Sequence, residues 1–270
     1  SFVMYRLLSK MMELEFVGVP LNEDFSLDLS AMLQSIEKEK PAVIFIARPN
    51  NPTGNVATKE EIDSLIEIAD EWPHCTIIAD EIYDGLDFSG KFCSVASRSD
   101  KTPVIVLNGV SKVYFAPGWR VGYMALHDPC KNLELVIDGM EKLLRSRLCA
   151  STPAQYGFMA GLTGDPKWLD DHRRIVKERL DYCIERISGI DGLECEAPGA
   201  AFYLFVKITK TQLSLDDKQF VLDLLNEKHV LVVHGSGFSS EFGHGHFRMV
   251  CLPSIEILCE AFDRISDFLM

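Results

Sequence analysis

The sequence predicts an α/β fold, a mainly parallel sheet flanked by helices, with a smaller α+β domain after it. Two observations carry this prediction. Apolar, β-branched runs of strand length at 41–47, 75–79 and 104–107 alternate with helical patterning, and each run stops at a polar cluster. After Leu126 the pattern turns to helices separated by short strand runs.

Taken in order, Phe2 to Met12 has helical apolar spacing, Glu15 to Val19 reads as a short strand, and Asp28 to Lys38 reads as a second helix. Pro41 to Ala47 is a buried-strand run ending at Arg48-Pro49-Asn50-Asn51-Pro52-Thr53-Gly54. Thr58, with Glu61 three residues later, makes a capping box opening a helix that reaches about Trp72. Cys75 to Ala79 is the next strand, ending at Asp80-Glu81-Ile82-Tyr83, and strand-helix-strand alternation is expected to continue to Leu107. Arg120 to Leu126 is a further apolar run. Helices are expected at Cys130 to Leu148, Pro153 to Leu162, Pro166 to Ile187, Asp216 to Lys228 and Ser254 to Leu269. Strands are expected at Ala201 to Ile208, Val230 to His234 and His246 to Leu252. The domain expectation is a large domain over 1–165, itself partial, and a small one over 166–270 entered through the long helix.

At 270 residues the chain can bury roughly three quarters of its extended surface. A net charge of -13 argues against nonspecific nucleic-acid binding, which needs a basic face. No apolar run is long enough to span a bilayer. The eight cysteines, Cys75, Cys93, Cys130, Cys149, Cys183, Cys195, Cys251 and Cys259, form no CxxC pair and read as buried thiols in a reducing compartment. Ser1-Phe2-Val3 lacks the features of a secretory signal, so a cytoplasmic protein is expected.

The chemistry is expected around Lys112. Asn108-Gly109 and Pro117-Gly118 are strong turn dipeptides, so Ser111-Lys112 sits in an irregular connection between two apolar runs. A lysine held near packed apolar residues and facing Arg120 loses part of its affinity for a proton, as an amine that forms a Schiff base requires. The bland alternative is a solvated surface lysine. Asn51, Asp80 and Lys112 follow three strand ends at intervals of roughly thirty residues, the length of a strand-helix-strand step. Right-handed crossovers put the carboxyl ends of parallel strands on one edge of a sheet, where ligands of such folds bind. Directly after Ile77-Ile78-Ala79, the Asp80 carboxylate is expected to be largely buried and to need a cation. A protonated pyridine nitrogen would supply one, and Tyr83 is spaced to bond a phenolic oxygen on the same ring.

Asn51-Pro52-Thr53-Gly54, Asp80-Glu81-Ile82-Tyr83, Ser111-Lys112 followed by Gly118-Trp119-Arg120-Val121-Gly122, and Phe247-Arg248 together resemble the fold-type I, pyridoxal-phosphate-dependent aminotransferases of classes I and II. The resemblance covers essentially the whole chain. It implies that Lys112 carries pyridoxal phosphate and shuttles the substrate proton, that Asp80 pairs with the pyridine nitrogen, and that Asn51 and Tyr83 bind the ring oxygen. It also implies that Ser111 and Arg120 bind the phosphate, that Arg248 clamps the substrate carboxylate with Asn51 beside it, and that the protein is a homodimer.

Asn108-Gly109-Val110-Ser111-Lys112, Arg147-Leu148-Cys149-Ala150 and His246-Phe247-Arg248-Met249-Val250 look most like the alanine (glutamate-pyruvate) branch. Pro20-Leu21-Asn22-Glu23-Asp24-Phe25 is similar to the histidinol-phosphate branch, aspartate stays open as donor, and a lyase on the same fold would share the cofactor residues. Two departures stand out. Gly109 replaces a phosphate-binding Ser or Thr of many relatives, and Ser1 to Tyr5 looks like the middle of a large domain, without the preceding phosphate cradle and ring-stacking aromatic.

His234, His244 and His246 lie near glycines, but no carboxylate or cysteine stands at ligand spacing, so no metal is expected. A serine-lysine hydrolase would need an oxyanion hole that nothing in the sequence supplies. A noncatalytic sensor on the same fold would bind the cofactor without turnover.

Overall fold

A computed structural model of the chain describes residues 2–210, 213 and 216–270. The chain divides into two compact units. One comprises Ser26–Pro49 and Ala57–Asp170; the other comprises Ser1–Phe25, Asn50–Val56 and Asp171–Met270.

The first unit is built on a four-stranded sheet of β1 (Val43–Ala47), β2 (Thr76–Asp80), β3 (Val104–Gly109) and β4 (Gly122–His127), in that order. β1, β2 and β3 are parallel, and β4 returns antiparallel to β3. Helix α2 (Leu29–Glu39) is capped by Asp28, which accepts from the Ala31 amide at 2.9 Å. In α3 (Lys59–Asp70) both halves of the Thr58–Glu61 capping box form, satisfying two amides that the first turn leaves open. Ile62, Leu65, Ile66 and Ala69 recur at helical spacing and pack into one core with Ile44, Ile46, Ile77, Ala79, Val104 and Val106 of the strands. Helices α4 (Glu134–Arg147) and α5 (Thr152–Thr163) complete the unit, and Ala154 and Phe158 of α5 pack with Val110 and Val121.

The second unit carries α1 (Met4–Met11) and a wholly antiparallel sheet in the order β5 (Leu193–Cys195), β6 (Tyr203–Ile208), β8 (His246–Val250), β7 (Val233–His234). The long α6 (Lys167–Ser188) buries Val176, Leu180, Cys183 and Ile187, spaced four, three and four residues apart as one helical face requires. Helices α7 (Asp217–Lys228) and α8 (Ile255–Leu269) add Leu224, Phe262 and Ile265 to the core, and Phe220 stacks on Phe247 of β8 at 5.6 Å.

Three expectations are corrected, and one element was not foreseen. Glu15 to Val19 is not a strand; the segment stays outside both sheets with most of its side chains exposed, so its apolar alternation has no ladder to join. Between β2 and β3 no α-helix forms among the described residues; two 3-10 turns, Asp84–Leu86 and Val95–Arg98, take its place. The three-residue β5 was not anticipated, being too short for a periodic signal. The cysteines are unbridged, but only Cys75, Cys183 and Cys251 are buried. Cys130 and Cys149 are exposed, in the connections before and after α4. No described helix is long and apolar enough to cross a membrane.

Candidate active site

Asp80 is the last residue of β2, level with Ala47 on β1 and Leu107 on β3. It is half-buried, not largely buried as expected, and its Oδ1 accepts from the Ile82 amide at 3.3 Å. Burial in β2 alternates, so Asp80 shares the half-exposed face of Ile78 while Glu81 continues the buried face of Ile77 and Ala79. Glu81 is 2% exposed, and its Oε1 accepts from Ser94 Oγ at 3.0 Å and the Val95 amide at 2.8 Å. Burial pushes its carboxyl up to about 7, against the pull of those two bonds. Arg48, also 2% exposed, donates through Nε to the Ala57 carbonyl at 2.8 Å and through Nη1 to the Cys93 carbonyl, while its guanidinium lies over the Phe92 ring. The buried Arg48 and Glu81 side chains thus hold the Phe92–Val95 segment at the carboxyl ends of β1 and β2. Neither was singled out from the sequence, although the alternation through Ile77, Ala79 and Glu81 was the available signal for one of them.

The Tyr83 side chain is buried, and Lys112 Nζ lies over its ring, 6.0 Å from the centroid. The segments carrying them pack directly: a Cβ on Gly85 would stand 2.6 Å from Val113 Cγ1. Asn108 ties them further, donating to Asp84 Oδ2 at 2.9 Å while its own Oδ1 accepts from the Gly109 amide at 2.7 Å. Burial raises the Asp84 carboxyl. Ser111 and Lys112 are half-buried between the buried Val110 and Val113, and the connection closes on itself through Phe115 amide to Lys112 carbonyl and Ala116 amide to Val110 carbonyl. Arg120 is exposed, in the left-handed region at φ 54, and its Nη1 donates to the Pro117 carbonyl at 2.7 Å, so its fork is engaged with its own turn. Lys112 and Tyr83 are therefore brought together, with Asp80 and Ser111 on the adjoining segments.

Asn51 and Arg248 belong to the other unit. Arg248, on β8, donates through Nη1 to Asn51 Oδ1 at 2.8 Å. Its guanidinium lies over two rings, 4.3 Å from the centroid of Tyr203 and 4.8 Å from that of Phe238. Asn51 is buried in a turn closed by the Gly54 amide on the Asn50 carbonyl at 2.9 Å. Gly54 is required there: its φ is +69, and a Cβ would stand 2.5 Å from Pro198 Cβ.

The three histidines do not converge. His234 Nδ1 is bonded to Ser236 Oγ at 2.9 Å, His244 Nδ1 lies 3.4 Å from Asp217 Oδ1, and His246 stacks on Phe205 at 4.8 Å. Among the described residues no group of three or more His, Cys, Asp and Glu is arranged to hold a metal ion.

An amine, a phenol and a carboxylate on adjoining segments of one unit form a donor set that fits pyridoxal phosphate, which presents an aldehyde, a ring oxygen and a ring nitrogen to such groups. A family model described as aminotransferase class I and II matches residues 1–265. The glutamate-pyruvate aminotransferase AlaA of Haemophilus influenzae is 36% identical over 235 residues, which are 85% of this chain and 57% of that protein. A probable aspartate aminotransferase of Methanocaldococcus jannaschii is 35% identical over 268 residues, 99% of this chain and 68% of that protein. Among solved structures, the alanine aminotransferase from Pyrococcus furiosus matches with a TM-score of 0.93 at 42% identity, covering 100% of this chain and 68% of that one. The chain thus spans 57% of the length of its Haemophilus relative.

Proposed function

Because the chain belongs to the class I and II aminotransferase family, whose members depend on pyridoxal phosphate, we propose that it is a transaminase. It moves an amino group between an L-amino acid, alanine favoured, and a 2-oxo acid, 2-oxoglutarate or pyruvate. The observation that carries this reading is Lys112 Nζ over the Tyr83 ring in the connection after β3, beside the segment that follows Asp80. The alanine preference is supported by the names of the Haemophilus and Pyrococcus relatives.

Lys112 would hold the cofactor through its amine, and the same amine would move the proton at the substrate α-carbon. Asp80 would keep the proton on the ring nitrogen, Tyr83 would bond the ring oxygen, and Ser111 and Arg120 would bind the phosphate; the resemblance implies a bond to the same oxygen from Asn51. Arg248 takes the substrate α-carboxylate with its planar fork, oriented by Asn51 Oδ1. When bound, pyridoxal phosphate supplies the electron sink. The remaining parts of the proposal are a large cofactor domain within 1–165, a small domain within 166–270, a homodimer, and a cytoplasmic location. A second reading, aspartate as donor, is favoured by the likeness to the Methanocaldococcus protein over 99% of the chain. Histidinol-phosphate transamination and a lyase reaction would use the same cofactor residues.

The test is an absorption spectrum with added pyridoxal phosphate, before and after borohydride, for the parent and Lys112→Ala. In the parent alone a visible band is expected that borohydride bleaches while leaving the cofactor covalently attached; in an unreduced sample the band is expected to be lost on adding L-alanine. A band retained unchanged in Lys112→Ala would overturn the assignment of the lysine, and one that answers only to aspartate would select the second reading.

A further inference from the structure

Asp217 is 2% exposed, a burial that an ionised carboxylate meets only when it is held by donors. It is the first residue of α7, yet it does not cap the helix. Asp216 does that, accepting from the Gln219 amide at 2.9 Å. The Asp217 carboxylate reaches elsewhere. Its Oδ2 accepts from the Ser236 amide at 2.7 Å, and its Oδ1 lies 3.4 Å from His244 Nδ1. One buried side chain therefore grips the 235–244 loop near both of its ends.

That loop is drawn tight. A Cβ on Gly235 would stand 2.2 Å from the Gly243 carbonyl oxygen, and one on Gly243 would stand 2.0 Å from the Gly235 carbonyl oxygen. Only glycine lets the two backbones touch in this way. Between the ends, Phe238 is set by its amide on the Gly235 carbonyl at 2.8 Å, and its ring lies 4.8 Å from the Arg248 guanidinium. A guanidinium over an aromatic face is attracted by the ring and loses freedom to swing.

We infer that Asp217 is a positioning residue for substrate binding: by closing the 235–244 loop it holds Phe238 against Arg248, and so sets the affinity for carboxylate-bearing substrates. The inference rests on the proposed role of Arg248 as the carboxylate clamp. The same arrangement names Phe238 as the ring through which Asp217 acts.

The experiment is a double-mutant cycle on the pyridoxal-phosphate-loaded chain with Asp217→Ala and Phe238→Leu, beside Arg248→Ala. Asp217→Ala and Phe238→Leu are each expected to raise KM for both the amino acid and the 2-oxo acid by roughly five- to tenfold, with kcat within about twofold, and Arg248→Ala by more. The double variant is expected to be no worse than the poorer single one, because both act through one contact. Hydrogen exchange at the Ser236 and Phe238 amides, read without substrate, is expected to accelerate in Asp217→Ala. His244 is half exposed, so His244→Ala provides the second cut should Asp217→Ala not fold; it is expected to raise KM and to be non-additive with Phe238→Leu. Multiplying KM effects in the double variant, or a loss confined to kcat, would mean a merely structural role for Asp217 and overturn the inference. Unchanged KM in Arg248→Ala would overturn the clamp itself. A raised KM there with an unchanged one in Asp217→Ala and His244→Ala would sink the Asp217 inference alone.

Discussion

Arg248 Nη1 donates to Asn51 Oδ1 at 2.8 Å, joining two side chains 197 residues apart in the sequence. The bond uses one nitrogen of the fork, and the Tyr203 and Phe238 rings lie against its plane. Arg248→Lys keeps the charge but has neither the planar face for the rings nor the second arm for a carboxylate. KM for both substrates is expected to rise by at least about tenfold with kcat changed less, since a charged hydrogen bond is worth about 1.5–3 kcal/mol. Steady-state kinetics with each substrate varied in turn check this, and an unaltered KM would remove Arg248 from its role.

For Lys112 the expected outcome is more severe. Lys112→Ala removes the only group proposed to hold the cofactor covalently and to move the α-proton, so turnover should fall to background. The protein should still fold, because Lys112 is half-buried in an irregular connection anchored by Val110 and Val113. Added methylamine is expected to restore part of the rate, since the missing proton carrier is a small amine. Wild-type turnover in the variant would refute the assignment.

The structure gives Gly109 a packing reason to lack a side chain. A Cβ on Gly109 would stand 2.7 Å from the Val121 carbonyl oxygen and 2.8 Å from Gly122 Cα, both backbone atoms of the facing segment. Gly109→Ser therefore forces β3 and β4 apart at their paired end, where Gly109 faces Gly122. A loss of roughly 1–3 kcal/mol in urea unfolding is expected, as for overpacked cores. A stability within experimental error of the parent would show that the pair opens freely.

Much of this arrangement was legible in the sequence because it is written in local chemistry. The strand runs at β1, β2 and β3 and the Thr58–Glu61 box each act within a few residues, and each formed where expected. Two kinds of feature were not legible. Glu15 to Val19 alternates like a strand, but strand formation depends on a neighbour that the segment's own residues do not encode. The expected helix between β2 and β3 gives way to 3-10 turns whose path is held by Arg48, 45 residues before Cys93, and by Glu81, whose burial and bonds to Ser94 and Val95 no local periodicity encodes. The placement of Asp80 was missed by one residue of phase. An apolar run directly before a carboxylate suggests burial, but alternation gives the buried position to Glu81.

Glu81 also makes the stability of the fold depend on pH in a predictable direction. Its carboxyl keeps its proton to about 7 in the folded chain, against 4.5 for the ordinary group, chiefly because burial disfavours the charge. Between these values the folded state binds more protons than the unfolded one. The contribution of Glu81 is therefore complete below pH 4.5 and is lost as pH rises through about 7. A shift of this size corresponds to about 3 kcal/mol. Glu81→Gln has the same shape and stays neutral, with an oxygen still able to accept from the Val95 amide and Ser94 Oγ. Urea midpoints measured from pH 4.5 to above 7 should therefore fall more steeply for the parent than for Glu81→Gln, with the curves running parallel beyond that window. Parallel curves across the whole range would mean that the Glu81 carboxylate is already ionised, and solvated, in the folded chain.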